Sequence, residues 1–309
     1  MWGAGTGEGG PGKVTLQLLV NGIALGSVYA LIAVGFALIF NILKFSNFSH
    51  GGLMSATAYV GYVASLLLKR YVSSLLLFVC TLVVAALAGG VLALIVERVA
   101  FRRLRNSNSS VIYYFISSIT MGILMENVIT IFASSNFYSY PQFLPASVLH
   151  LGGLQVVVAD LMTLGFSAAA LLVLLFVLFR TRIGLAIRCS SFDVATSKLM
   201  GMNPNTVVAA AFFASGVLGG VAGVFLGVNY TLYPQLGQFI VKGFIASVIG
   251  GLGSIEGAVI GAVLLGVVEI LLIGLVGAGL APVFVFFIML VFLLLRPRGI
   301  AGVIVQEKA

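Results

Sequence analysis

Most of this chain is written in long, unbroken apolar runs, and nothing constrains its fold more. Candidate runs fall at 14–40, 48–68, 75–96, 111–132, 156–179, 206–228 and 257–275, with shorter ones at 239–252 and 282–295. Each of the longer runs approaches the roughly 20 apolar residues that a helix needs to cross a bilayer. The runs are continuous rather than alternating, which argues against a transmembrane barrel. Inside hydrocarbon every backbone polar group must be paired within the protein, so continuous runs imply a bundle of helices. The expected fold is therefore all-α: a polytopic transmembrane bundle of about eight or nine spans, some short or broken.

Charge supports this. Charged residues are 8% of the 309 and apolar residues 61%, whereas a soluble domain carries roughly 25% charged residues. Such a chain cannot cover its own surface in water. The 38 glycines suit a membrane bundle, where they let helix backbones approach closely. Residues 1–13 form a Gly-rich segment expected to be disordered. With no basic start and no small-residue cleavage site, it does not read as a signal peptide. The transmembrane domain is then 14–302, and 303–309 is a short tail expected to be cytoplasmic.

Lys and Arg cluster in three places: Arg98, Arg102, Arg103 and Arg105; then Arg180, Arg182, Arg188 and Lys198; then Arg296, Arg298 and Lys308. An even number of spans separates successive clusters, so all three face one side, the cytoplasm by the positive-inside rule. Counting back places the N-terminus outside. Lys69 and Arg70 then also lie outside, against the rule, and a half-span near 41–52 would change that count. Membrane edges and lipid headgroups account for the net charge of +8 without nucleic acid. Cys80 and Cys189 fall at different depths, so a disulfide is not expected; each serves as a small packing residue.

Fuel-using chemistry is missing from the sequence. There is no Gly-x-x-x-x-Gly-Lys-Ser/Thr loop, no His-Glu-x-x-His pair and no Gly-x-Ser-x-Gly elbow. With only His50 and His150, a histidine metal site is hard to assemble. If ATP drives this protein, a separate subunit binds it. The basic connection 180–205 is the one prominent element that looks made to touch a soluble partner.

Several ordered motifs resemble the permeases of branched-chain amino-acid ABC importers. The run 20–62 begins Asn21-Gly22, continues through Gly26-Ser27-Val28-Tyr29-Ala30-Leu31, and ends in the turn Asn47-Phe48-Ser49-His50-Gly51. Glu97-Arg98 with 101–105, the loop 184–201, and Gly250-Gly251-Leu252-Gly253-Ser254-Ile255 also resemble the family, as does Glu269. Arg103 and Glu256 stand where proline is usual, and Val194-Ala195 follow Asp193 where an acidic residue is common. The resemblance spans about 16–302. It implies an ABC-importer permease in the bacterial inner membrane, paired with a second permease (a paralogue or itself), two ATPase subunits and an extracytoplasmic solute-binding protein. No cofactor is implied for the chain itself, ATP being bound by the partner ATPases.

Within that frame 184–200 is expected to form one short helix along the membrane face, ended by Gly201 and Pro204. Ala186, Cys189, Phe192 and Leu199 would make apolar contacts, with Arg188, Asp193 and Lys198 facing water or partner. Gly184, Ala186, Arg188, Asp193, Lys198 and Gly201 are the candidate coupling residues. The plain alternative is a solvated loop that only enforces topology.

Polar residues inside apolar runs are costly and often functional. Tyr29, Asn47, His50, Glu126, Asn127 and Glu269 are the candidate solute-pathway residues. Against this, Asn47 and His50 can simply satisfy a broken helix, and Glu126, Asn127 and Glu269 can bond to neighbouring helices. Lys242 is expected to snorkel to an interface, Glu97 and Arg98 to form an ion pair or anchor, and Asp160 to sit at a helix N-terminus. Two Gly-marked interruptions, 47–52 and 253–257, hint at two repeats meeting at a central path. In the outer loop, Phe137, Tyr138, Tyr140 and Phe143 suit either a binding-protein dock or an aromatic belt; His150 reads as an ordinary surface group. The competing function is a self-contained secondary transporter or channel for a small neutral or zwitterionic solute, coupled through Glu126, Glu269 or His50.

Overall fold

The computed structural model describes residues 11–107, 109–143, 148–151, 154–296 and 299–301. Helix α1 (Pro11–Leu43) and α2 (Ser49–Leu68) are joined by a tight break. Helix α3 (Ser74–Val96) runs through a π-helical turn (Glu97–Phe101) into α4 (Arg102–Asn106), and α5 (Val111–Ala133) follows. A small antiparallel hairpin, β1 (Val148–Leu151) and β2 (Leu154–Val157), pairs Val148 with Val157. Then come α6 (Val158–Arg180), α7 (Arg182–Phe192), α8 (Val194–Leu199) and α9 (Pro204–Asn229). A 3-10 turn (Pro234–Phe239) leads into α10 (Ile240–Gly250), followed by α11 (Ile255–Val276) and α12 (Ala281–Leu295).

Seven of these helices are long and apolar enough to cross a membrane, and α12 is a shorter apolar helix. This is a multi-pass membrane protein. The helical bundle agrees with the sequence, except that the outer loop contributes a hairpin. The expected short span 239–252 is α10, whose 11 residues rise only ~16 Å, about half of a ~30 Å hydrocarbon core. The Pro234–Phe239 turn leads directly into α10. Most of the expected N-terminal lead, and the tail 303–309, lie outside the described residues. Helix α1 begins at Pro11, inside the segment expected to be a lead.

Burial ranks the helices. In α1, 89% of the apolar window is buried, against 17% in α5. Helix α1 is therefore the axis, with α9 beside it and α5, α6 and α12 outermost. Glycines set the close crossings. A Cβ at Gly89 of α3 would lie 2.1 Å from the Gly216 carbonyl of α9, and one at Gly266 of α11 would lie 2.4 Å from the Gly26 nitrogen of α1. Only glycine lets these backbones touch, which replaces the hydrophobic drive that lipid does not supply.

Among the described residues, the first two basic clusters and Arg296 of the third gather at one end. Arg105 bonds Asn205 at the start of α9. Phe45, just past α1, stacks near Phe101 and Tyr114. Asn41 lies beside Gly253, and Ile300 and Ala301, beyond α12, donate backbone hydrogen bonds to Ile249 and Gly250. Lys69 and Arg70 fall at the other end of α2. Three full helices precede the first cluster, so the break near Asn47 adds no crossing and the expected parity stands.

Candidate functional site

The connection 180–205 is built outward from α6. Thr181 caps α7: its side chain accepts the Gly184 N–H (3.2 Å), and its hydroxyl donates to the Val177 carbonyl (2.6 Å). The chain turns so sharply that a Cβ at Gly184 would lie 2.2 Å from the Val177 carbonyl oxygen. Helix α7 is thereby fixed to the end of α6 with its Ile187 side buried.

The expected single helix over 184–200 is two helices. Asp193 adopts an extended backbone (φ −155°, ψ 114°) that ends α7. It then serves the start of α8, where its carboxylate accepts the Thr196 hydroxyl and its carbonyl accepts the Ser197 hydroxyl. Asp favours such caps over helix interiors because its side chain competes for the backbone. Gly201 (φ +81°) ends α8, with the Met202 N–H reaching back to the Ser197 carbonyl; the left-handed backbone there needs glycine. Asn203 caps α9, accepting the Asn205 N–H, and Pro204 opens it.

The faces keep to expectation at Ala186, Asp193 and Lys198 and differ at Arg188. Ala186 is half-buried against the core, and Arg188 lies with its guanidinium 5.0 Å from the Phe179 ring centroid, tucked toward α6 instead of facing water. Lys198 and Asp193 are exposed. What points away from the bundle is apolar: Ile183, Leu185, Met200, and above all Phe192 at 90% and Leu199 at 89% exposure. The two-helix element is thus rooted in α6 while it displays large apolar side chains.

The second region lies inside the bundle. The α1–α2 break and the Pro234–Phe239 turn meet backbone to backbone. A Cβ at Gly51 would lie 2.5 Å from the Gly237 carbonyl oxygen, and one at Gly237 2.4 Å from that of Gly51. The Gly237 N–H donates to the buried Ser55 hydroxyl (2.7 Å). Gly52 abuts Gly122, in the middle of the 23-residue α5. The interruption that meets the first break is therefore at Gly237, ahead of the half-helix. The expected partner segment, 253–257, instead lies near Asn41 and the chain's end.

A groove of about 290 Å³ runs along this crossing, lined by Phe48, Gly122, Glu126, Gln238 and Ile240 among others. Its walls are mainly apolar, with Glu126 the only carboxylate in the lining. Asn47 and His50 do not line it. Asn47 accepts the Ser49 N–H (3.2 Å) and hydroxyl (2.6 Å), capping α2. His50 is packed between Gly35 and Gly219, its Nδ1 3.3 Å from the Ser215 hydroxyl. That hydroxyl also lies 2.8 Å from the Gly35 carbonyl, to which it donates. Asn127 turns its amide onto the Ile123 carbonyl of its own helix (2.8 Å) and is exposed.

Behind the groove sits a charged cluster. Lys242 Nζ donates to Glu269 Oε1 (2.5 Å) and to Tyr29 Oη (2.9 Å), and Tyr29 Oη donates to Glu269 Oε2 (3.1 Å). The Lys242 ammonium lies 5.0 Å from the Phe239 ring centroid. Lys242 thus does not snorkel outward. It pairs inside the bundle and ties α10 to α1 and α11. Sequence reasoning found Tyr29 and Glu269 but missed Lys242, Gly51 and Gly237 as their companions. The available signal was a lysine inside an apolar run only eight residues after a proline. Two of the sequence's other expectations are met locally: Glu97 is buried and paired, though with Arg105 (2.6 Å) rather than Arg98, and Asp160 sits in the first turn of α6.

Among the described residues, no three His, Cys, Asp or Glu side chains come together as a metal site. Residues 18–294 match the family described as branched-chain amino acid transport system / permease component. The chain is similar to the high-affinity branched-chain amino acid transport system permease protein BraD of Pseudomonas aeruginosa, 34% identical over 93% of this chain and 95% of that one. It is similar to LivH of Escherichia coli, of the same description, at 31% over 93% and 95%. Among solved structures, PsaBC from Streptococcus pneumoniae in complex with Fab aligns with 92% of each chain at 17% identity, with a TM-score of 0.47. The chain belongs to the branched-chain amino acid permease family.

Proposed function

We propose that this family member is the membrane permease subunit of an ATP-driven importer of branched-chain or related small amino acids. The observation that carries the proposal is the α7–α8 element. It is anchored at Gly184 and Thr181, and it displays Leu185, Phe192 and Leu199 at the basic end of the bundle. Separate ATPase subunits, two in the complete importer, dock there. They bind and hydrolyse ATP, while this chain is non-catalytic and needs no cofactor. The basic end is cytoplasmic, placing the C-terminus inside. A second permease, paralogue or self, completes the pathway, and an extracytoplasmic binding protein delivers solute to the other end. The membrane is the bacterial inner membrane.

Transmission follows from the anchoring. A displacement of α7 carries the end of α6 with it, because Gly184 leaves no gap between them. The path itself is the groove at the Gly51–Gly237 crossing, with Glu126 at its wall. Its apolar lining suits an aliphatic side chain, and its one carboxylate suits an ammonium.

The test is uptake of labelled leucine into vesicles reconstituted with the chain, its partner permease, the ATPase and the binding protein. Uptake that needs internal ATP, and that Phe192→Asp abolishes, supports the reading. Uptake by this chain alone, driven by a proton or sodium gradient and indifferent to Phe192→Asp, makes it a secondary transporter.

A further inference from the structure

A second cavity, of about 600 Å³, lies apart from the groove at the basic end. Arg105, Asn106, Ser109, Tyr114, Lys198 and Asn205 line it, together with Pro204. Every one of the six named side chains carries a hydrogen-bonding group, and none is acidic.

Its electrostatics are one-signed. Segments 97–105 and 180–198 hold eight basic residues against Glu97 and Asp193. Glu97, beside the cavity wall, is buried and engaged by Arg105 (2.6 Å), and Asp193, at the start of the helix that bears Lys198, is held by the Thr196 hydroxyl. Arg105 is also fixed by two hydrogen bonds to Asn205 Oδ1 (3.0 and 2.7 Å), so its guanidinium is preset. Lys198 makes no ion pair among the described residues.

Two helix N-termini add to this. Pro204 and Asn205 open α9, and Ser109 and Tyr114 flank the start of α5. The N-cap of α5, Ser110, makes no side-chain capping bond. Both N-termini carry a partial positive charge, which favours phosphate; N–H groups without a side-chain cap remain at α5, since Pro204 has none and Asn203 accepts that of Asn205. The cavity is also at the height where long helices begin, the level of lipid headgroups on that face.

We infer that this cavity binds a phosphate group. The group is borne by an anionic lipid headgroup of the adjoining leaflet or by a soluble phosphorylated anion. Its occupant bridges Lys198 of α8 to Arg105 and the start of α9, and so ties the docking element to the bundle. The inference does not depend on the solute or on ATP coupling.

The experiment uses the full chain purified in a neutral detergent and a fluorescent phosphatidylglycerol probe. Unlabelled phosphatidylglycerol should compete and phosphatidylcholine should not. Lys198→Gln should weaken binding about fivefold, the effect of one lysine at a membrane surface. Ser109→Asp, which adds a negative charge at an accessible position, should weaken it at least as much. Lys69→Gln, at the opposite end, should leave it unchanged. Displacement by inorganic phosphate at millimolar levels would assign a soluble anion; displacement by the lipid alone would assign the headgroup. Equal probe binding by wild type, Lys198→Gln and Ser109→Asp would overturn the site. So would a loss confined to ATPase affinity in those two variants, which would make the cavity a protein contact.

Discussion

The α7–α8 element and the intramembrane crossing are built by opposite means. In α7–α8, the proposed function rests on what is left uncovered: Phe192 and Leu199 are almost fully exposed while the backbone is locked at Gly184. At the crossing, the proposed path rests on what is brought too close for a side chain. Gly51 meets Gly237, and a Lys242–Glu269 pair is held within the bundle. The first region should therefore tolerate substitution in its fold and lose its partner. The second should lose its fold first.

The largest effect is expected at the crossing. Gly237→Val sets a branched side chain against the Gly51 backbone, and should cost more than ~3 kcal/mol or prevent folding, as severe overpacking does. Thermal unfolding in detergent checks this, with Gly165→Ala as the control, since nothing lies within 4 Å of a Cβ there.

Next is the ion pair. Lys242→Met alone should cost about 3 kcal/mol, because it leaves Glu269 buried and unpaired. Adding Glu269→Gln should recover much of the loss. A double-mutant cycle that shows no coupling would erase the distinction between the two regions.

Smaller is Gly201→Ala, which forces a left-handed backbone on a residue with a Cβ and should cost about 1–2 kcal/mol, read from the same unfolding curves. Smallest for the fold is Phe192→Ala, expected within about 0.5 kcal/mol of wild type. Yet it should weaken ATPase binding by about tenfold or more, as loss of an exposed aromatic anchor does. An unfolding loss without a binding loss would reverse the comparison.

The sequence revealed the outward region better than the inward one. Apolar runs, basic clusters and the Gly201–Pro204 stop are local signals, and they located the spans and the 180–205 connection. Even there, Asp193 was read as a helix residue, although its capping chemistry splits 184–200 into α7 and α8. The crossing depends on partners far apart in the chain: Gly51 with Gly237, Tyr29 with Glu269, Lys242 with both. Only tertiary structure brings these together. A lysine in an apolar run reads as a snorkelling residue until a buried carboxylate is found beside it. His50 looked like a pathway residue because it sits at a break. The fold turns it instead into a wedge between Gly35 and Gly219.

The central claim is that α7–α8 is a docking surface whose apolar side chains hold an ATPase. The most direct measurement is mild-detergent co-purification of the tagged chain with its ATPase, comparing wild type with Leu185→Asp/Phe192→Asp. The account predicts that the wild type retains the ATPase and that the variant loses it while its unfolding temperature stays the same. A wild-type chain that purifies without any ATPase, or a variant that keeps it undiminished, would contradict the claim.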